Sequence, residues 1–116
     1  MVIRFGNQNK YRNRKVEYAG HKFDSVKECE RYKDLVLLLE AGEISNLRTQ
    51  VKFPLIPSMK TPDGQTVRGI KYVADFTYYT KRGAFVVEDC KGVQTEVYKI
   101  KKKLLLDRYG YWIKET

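Results

Sequence analysis

The sequence predicts an α/β (α+β) domain whose core runs helix, three strands, helix, strand. Three observations carry that expectation. The segment Ser25-Val26-Lys27-Glu28 has the form of a capping box and opens a stretch in which apolar residues recur at spacings of three and four. Three stretches rich in β-branched and aromatic residues follow, divided by turn chemistry. A lysine-rich stretch of helical period and a short apolar segment come last.

Each element has its own local reason. Residues 1–22 read as a basic arm, whose end forms a short hairpin from Val16 and Tyr18, turning at Ala19-Gly20 towards Phe23; the main domain is placed at residues 23–116. In the first helix Cys29, Tyr32, Leu35, Val36 and Leu39 make one stripe to be buried, and Ala41-Gly42 supplies the stop. Leu47, Val51, Phe53 and Leu55 alternate with polar residues in a strand from Ile44 to Ile56. Thr61-Pro62-Asp63-Gly64 is a turn, because proline presets φ and glycine accepts a positive one. A second strand then spans Ile70 to Tyr79, and Lys81-Arg82-Gly83 divides it from a third, Ala84 to Cys90. The second helix, Thr95 to Tyr109, places Val97, Ile100, Leu104 and Leu105 on one side; Gly110 caps it and Tyr111-Trp112-Ile113 is the last strand.

With 116 residues the chain has room for one core. A hydrophobic content of 42% is enough to offset the entropy of ordering and excludes the disordered class. No apolar run reaches the roughly 18 residues a membrane helix needs, and Met1-Val2-Ile3-Arg4 lacks the apolar region of a signal peptide, so a soluble cytoplasmic protein without membrane partners is expected. Cys29 and Cys90 are too few and too far apart for a zinc site or a disulfide framework, and reduced thiols are expected.

Lys and Arg number 23 against 14 Asp and Glu, a net charge of +9. The excess lies at the two ends: residues 1–24 carry six basic and two acidic groups, residues 94–116 six and three, and the middle is nearly balanced. Such a distribution attracts polyanions, nucleic acid first among them.

Three acids occupy positions that a purely structural sequence would fill otherwise. Helical geometry puts Glu28 at the top of the buried stripe, although the capping box alone would also account for it. Asp75 lies in the middle of Tyr72-Val73-Ala74-Asp75-Phe76-Thr77-Tyr78, where a buried carboxylate is costly unless paired or bound to a metal. Asp89 ends the apolar run Ala84-Phe85-Val86-Val87-Glu88-Asp89, and period two puts it on the same face as Lys91. Glu88 competes with Asp89 for the role, but it points with Cys90 to the opposite face.

The spacing of Asp75, Asp89 and Lys91 resembles the PD-(D/E)xK nucleases, with Ala74 in place of the optional proline. Ser25-x-x-Glu28 matches the first-helix acid that many members add, and the order of elements matches the restriction-endonuclease-like core, a mixed central sheet flanked by helices. More narrowly, Phe23-Asp24-Ser25, Glu28, Tyr32, Ala74-Asp75-Phe76 and Glu88-Asp89-x-Lys91-Gly92 before a lysine-rich helix look like small phage and prophage nucleases of recombination and branched-DNA resolution. The resemblance implies a catalytic set of Glu28, Asp75, Asp89 and Lys91. It implies Mg²⁺ or Mn²⁺ held by Glu28, Asp75, Asp89 and the backbone carbonyl of Cys90. Lys91 would orient water or stabilise charge in the transition state.

Phosphate contacts are expected from the arm residues Lys10, Arg12, Arg14 and Lys15, and from Gln94, Lys99, Lys101, Lys102 and Lys103. His21 reads as a surface histidine, and Tyr72, Phe76, Tyr78, Phe85 and Trp112 read as core. The expected protein is a metal-dependent, structure-selective DNA endonuclease, a Holliday-junction resolvase that cuts four-way junctions as a homodimer in the cytoplasm of a bacterial host. The alternatives are another phage nuclease of DNA repair or packaging, and a basic DNA-binding module whose acids are structural.

Overall fold

The structure, a computed structural model, describes residues 15–91 and 93–116. Two short strands, β1 (Val16–Tyr18) and β2 (His21–Phe23), precede helix α1 (Val26–Glu40). The strands β3 (Ile44–Ile56), β4 (Met59–Lys60), β5 (Thr66–Val67), β6 (Ile70–Thr80) and β7 (Phe85–Asp89) follow, then α2 (Glu96–Tyr109) and β8 (Lys114–Glu115). The central sheet has the order β3-β6-β7-β8; its first three strands are antiparallel, and β8 lies parallel to β7. The class is therefore mixed α and β, with a mixed sheet and two helices.

β1 and β2 form a hairpin in which Ala19 and Gly20 both take positive φ, as a mirror-image two-residue turn requires. It lies on α1. The rings of Tyr18, His21 and Phe23 all approach Tyr32, and Phe23 is buried, so His21 is half-buried against aromatic rings. Ser25 caps α1 by accepting from the Glu28 amide at 3.1 Å. Thr95 does the same for α2 through the Tyr98 amide at 3.1 Å, and Gly110 closes that helix with φ 78.

The β3–β6 ladder continues past its last central pair into the small β4–β5 ribbon around the Thr61–Gly64 turn. Gly69 lies so close to the returning strand that a methyl group there would collide with the carbonyl oxygen of Ile56 and the amide of Ser58.

Two apolar clusters sit on the sheet. One joins Phe53, Leu55, Tyr72, Ala74, Val87 and Ile113 to Tyr98 and Leu105 of α2. The other joins Ile44, Phe76 and Tyr78 to Phe23 and to Cys29 and Leu35 of α1. Residues two apart on a strand share a face, yet Ala74 belongs to the first cluster and Phe76 to the second. β6 therefore changes faces at Asp75. Opposite it on β3, Gln50 has φ 52, and the ladder passes from Thr49–Phe76 to Val51–Ala74 without pairing Gln50 to Asp75. A left-handed φ on a residue with a side chain is a local strain, and this one lies beside the acids.

Three expectations need correction. The last strand is Lys114–Glu115, because Ile113 is drawn into the α2 cluster instead of pairing. The buried side of α2 is set by Tyr98 and Leu105, which turns Val97 and Ile100 outwards, and α1 likewise leaves Leu39 exposed. Trp112 is not core; it is 60% exposed.

Candidate functional site

Glu28, Asp75 and Asp89 come from α1, β6 and β7, and the fold brings them together where β7 ends. Asp75 and Asp89 lie one step beyond the Phe76–Glu88 pair of an antiparallel ladder, so they stand across from each other. The Asp75 Oδ2 accepts from the Cys90 amide at 2.9 Å, which ties the first acid to the peptide that follows the second. Glu28 is 3% exposed and its Oε2 accepts from Gln50 Nε2 at 3.0 Å. The strained residue on β3 thus holds the acid on α1.

Asp89 is 2% exposed. Its Oδ2 accepts from the Tyr72 hydroxyl at 2.6 Å and lies 3.4 Å from Lys91 Nζ, so the acid and the ammonium are side by side. The Lys91 Nζ also lies 4.5 Å from the Tyr98 ring centre, a cation–π contact that directs its stem. Glu88 points the other way. It is fully buried and held by Arg31 through two bonds of 2.5 and 3.0 Å and by the Tyr78 hydroxyl at 2.6 Å. A carboxylate with three donors on it belongs to the α1 side of the sheet, and Asp89 is the one that faces Asp75.

Crowding these carboxyls together changes their acidity. Burial, reinforced by the charges of Asp24 and Asp89, pushes Glu28 up to about 7. Burial pushes Asp75 up to about 8, with the hydrogen bond and charge of Asp89 adding to it. Burial and the neighbouring Asp89 also raise the Tyr72 phenol far above its ordinary value, which keeps it a donor.

Among the described residues, no set of three or more His, Cys, Asp or Glu side chains stands at metal-holding distances. The donor set nevertheless fits a hard divalent cation. Its side chains offer carboxylate oxygens only, they come from three elements, and burial beside one another raises Glu28 and Asp75, a cost that a bound cation would offset.

The expected phosphate contacts are differently placed. Lys15 pairs with Asp24 at 3.2 Å on the exposed hairpin side, close to Glu28 in sequence. Lys99 is exposed and pairs with Glu96 at 3.6 Å, and Lys101 and Lys103 form no ion pair among the described residues. Gln94 and Lys102 are bound to Glu115, each at 3.0 Å, and Tyr98 donates to the same carboxylate at 2.6 Å. Those two side chains hold β8 to α2. Lys10, Arg12 and Arg14 lie outside the described residues. Both cysteines are free, and no helix is long and apolar enough to cross a membrane among the described residues.

The residues that sequence reasoning missed are Gln50, Arg31, Tyr72 as a hydrogen-bond donor, and Glu115. Each acts on a partner distant in the chain, and none breaks its local pattern: Gln50 falls on one of the polar positions that alternate with Leu47, Val51 and Phe53 in β3.

The chain belongs to the DUF1064 family, described as proteins of unknown function, whose model matches residues 8–115. The match spans the hairpin, both helices and all the strands of the central sheet. No curated protein and no solved structure matches it.

Proposed function

We propose that this protein is a metal-dependent endonuclease of the PD-(D/E)xK type that hydrolyses phosphodiester bonds in branched DNA. The observation that carries the reading is the meeting of Glu28, Asp75 and Asp89 from three elements, with Lys91 Nζ 3.4 Å from Asp89. An acidic pocket inside a chain of net charge +9 is the arrangement that phosphodiester chemistry calls for.

Glu28, Asp75, Asp89 and the Cys90 carbonyl would hold Mg²⁺ or Mn²⁺. Bound there, the cation supplies Lewis acidity towards phosphate and water. The other roles belong to the chain itself. Tyr72 fixes one oxygen of Asp89. The Cys90 amide fixes Asp75, and Gln50 fixes Glu28, so the acids are set before substrate arrives. Lys91, held on the Tyr98 ring, offers an ammonium to the phosphate oxygens or to the attacking water as negative charge develops. Exposed Lys99 and Lys103 on α2 would take backbone phosphates.

The substrate is proposed to be a four-way junction, cut by a homodimer, on the resemblance of the Asp75, Asp89 and Lys91 pattern to small branched-DNA nucleases and because two symmetric nicks require two sites. The test compares cleavage of a four-way junction, a flap, a single strand and a linear duplex in Mg²⁺ and in EDTA. Preferential cutting of the junction in Mg²⁺, lost in EDTA and in Asp75→Asn, is expected. Unimpaired cutting by Asp75→Asn would overturn the site, and equal cutting of linear duplex would overturn the substrate.

A further inference from the structure

The surface between α2 and the segment before β8 carries the most exposed of the large aromatic side chains among the described residues, Trp112. Trp112 is 60% exposed and Ile100 56% exposed, and both line an open cleft of about 510 Å³ together with Gln94, Glu96, Lys99, Lys102 and Lys103, Glu96 being paired with Lys99 at 3.6 Å. A large aromatic side chain left in water beside an exposed aliphatic one marks a binding surface. One face of the indole is already occupied. Lys102 Nζ lies 4.4 Å from the ring centre and is itself held by Glu115 at 3.0 Å, so the ring is oriented before any ligand arrives.

We propose that Trp112 is a stacking platform for an unpaired nucleotide, with Lys99 and Lys103 taking the phosphates on either side. The charge of the cleft selects this occupant. An apolar partner surface would have to cover three lysines and Glu96, whereas a nucleotide offers a π-face to the indole and anionic oxygens to Lys103, which has no ion pair among the described residues, and to Lys99 in exchange for the exposed Glu96. The platform is also tied to the acids. Glu115, which anchors Lys102, is the parallel partner of Asp89 in the β7–β8 ladder. It accepts from Tyr98, whose ring carries Lys91. A strand stacked on Trp112 therefore runs beside the carboxylate site, and the substrate class becomes branched DNA with an unpaired nucleotide at the branch; that last step rests on the nuclease reading, while the stacking does not.

The chain contains one tryptophan, so its fluorescence reports Trp112 alone. Titration with a twelve-nucleotide oligo(dT) in EDTA should quench that fluorescence saturably, while a duplex of equal length and heparin should quench it far less. Trp112→Ala, followed by fluorescence anisotropy of labelled oligo(dT), should weaken binding about 10-fold or more, and Trp112→Phe should lose only a few-fold. Circular dichroism should match wild type for both, since the side chain is mostly in water. Equal quenching by heparin, unchanged oligo(dT) affinity in Trp112→Ala, or a Trp112 spectrum that shifts with protein concentration alone would each overturn the platform. Normal oligo(dT) binding without Mg²⁺-dependent cutting of any DNA would leave the platform standing and remove the nuclease; junction cutting without stacking would do the reverse.

Discussion

Asp75 and Asp89 face each other across neighbouring strands, one residue past the last pair of the β6–β7 ladder, and the Cys90 amide bonds the first of them at 2.9 Å. Burial and the neighbouring Asp89 push Asp75 up to about 8, and much of the expected behaviour of the protein follows from that.

Removing either charge should stop the chemistry. Asp75→Asn and Asp89→Asn are expected to lower Mg²⁺-dependent cleavage about 1,000-fold while junction binding in EDTA changes by less than a few-fold. Glu88→Gln, measured at a temperature where it stays folded, should cut within a few-fold of wild type. A dead Glu88→Gln beside an active Asp89→Asn would exchange the two assignments.

Stability without metal should fall as pH rises. Glu28 and Asp75 hold their protons up to about 7 and about 8 in the folded chain, against ordinary values of 4.5 and 3.8. Between pH 5 and 8 the folded state thus binds more protons than the unfolded one, so the contribution is fully present only below the ordinary values, falls across this range and is gone once pH has risen through the folded values. The slope is at most about 1.4 kcal/mol per pH unit for each group. Melts in EDTA should give a Tm that declines from pH 5 to 8, less steeply in Asp75→Asn, and Mg²⁺ should raise Tm more at pH 8 than at pH 5. A Tm rising steadily over that range in EDTA would contradict the protonated pair.

Arg31 should matter to folding and not to chemistry. Arg31→Ala leaves the fully buried Glu88 without its counter-charge, at a cost of about 3–5 kcal/mol by chemical denaturation. The double variant Arg31→Met with Glu88→Gln should recover most of that loss. A single variant as stable as wild type would show that the pair holds nothing together.

Gln50 positions Glu28 without touching substrate. Gln50→Ala is expected to weaken Mg²⁺ binding several-fold, with kcat at saturating Mg²⁺ little changed, and Gln50→Glu, which adds a charge beside Glu28, should shift the pH profile of cleavage upwards. Unaltered Mg²⁺ dependence in both would assign Gln50 to the strand alone.

What could be read from the sequence is what neighbours in the chain decide. Ser25 before Val26, Thr61-Pro62-Asp63-Gly64, and glycines 42 and 110 act over three or four residues, and all lie where local chemistry put them. Asp75 and Asp89 stood out because each breaks an apolar run, and period two was enough to put Asp89 with Lys91 and Glu88 on the far side. The contacts that complete the site span the fold: Gln50 to Glu28 crosses 22 residues and Arg31 to Glu88 crosses 57. The phase of α2 was misjudged for the same reason. Lysine-rich periodicity does not say which side is buried until Glu115 takes hold of Tyr98 and Lys102, and that same grip leaves Trp112 outside.

The change of faces in β6 gives the domain two hydrophobic halves, each with its own helix, that meet at a polar seam. Glu28 belongs to one half, Asp89 through Tyr72 to the other, and Asp75 sits on the join. A divalent ion there would act as a rivet across the seam, so that the amides on either side of it exchange with solvent more slowly when it is bound.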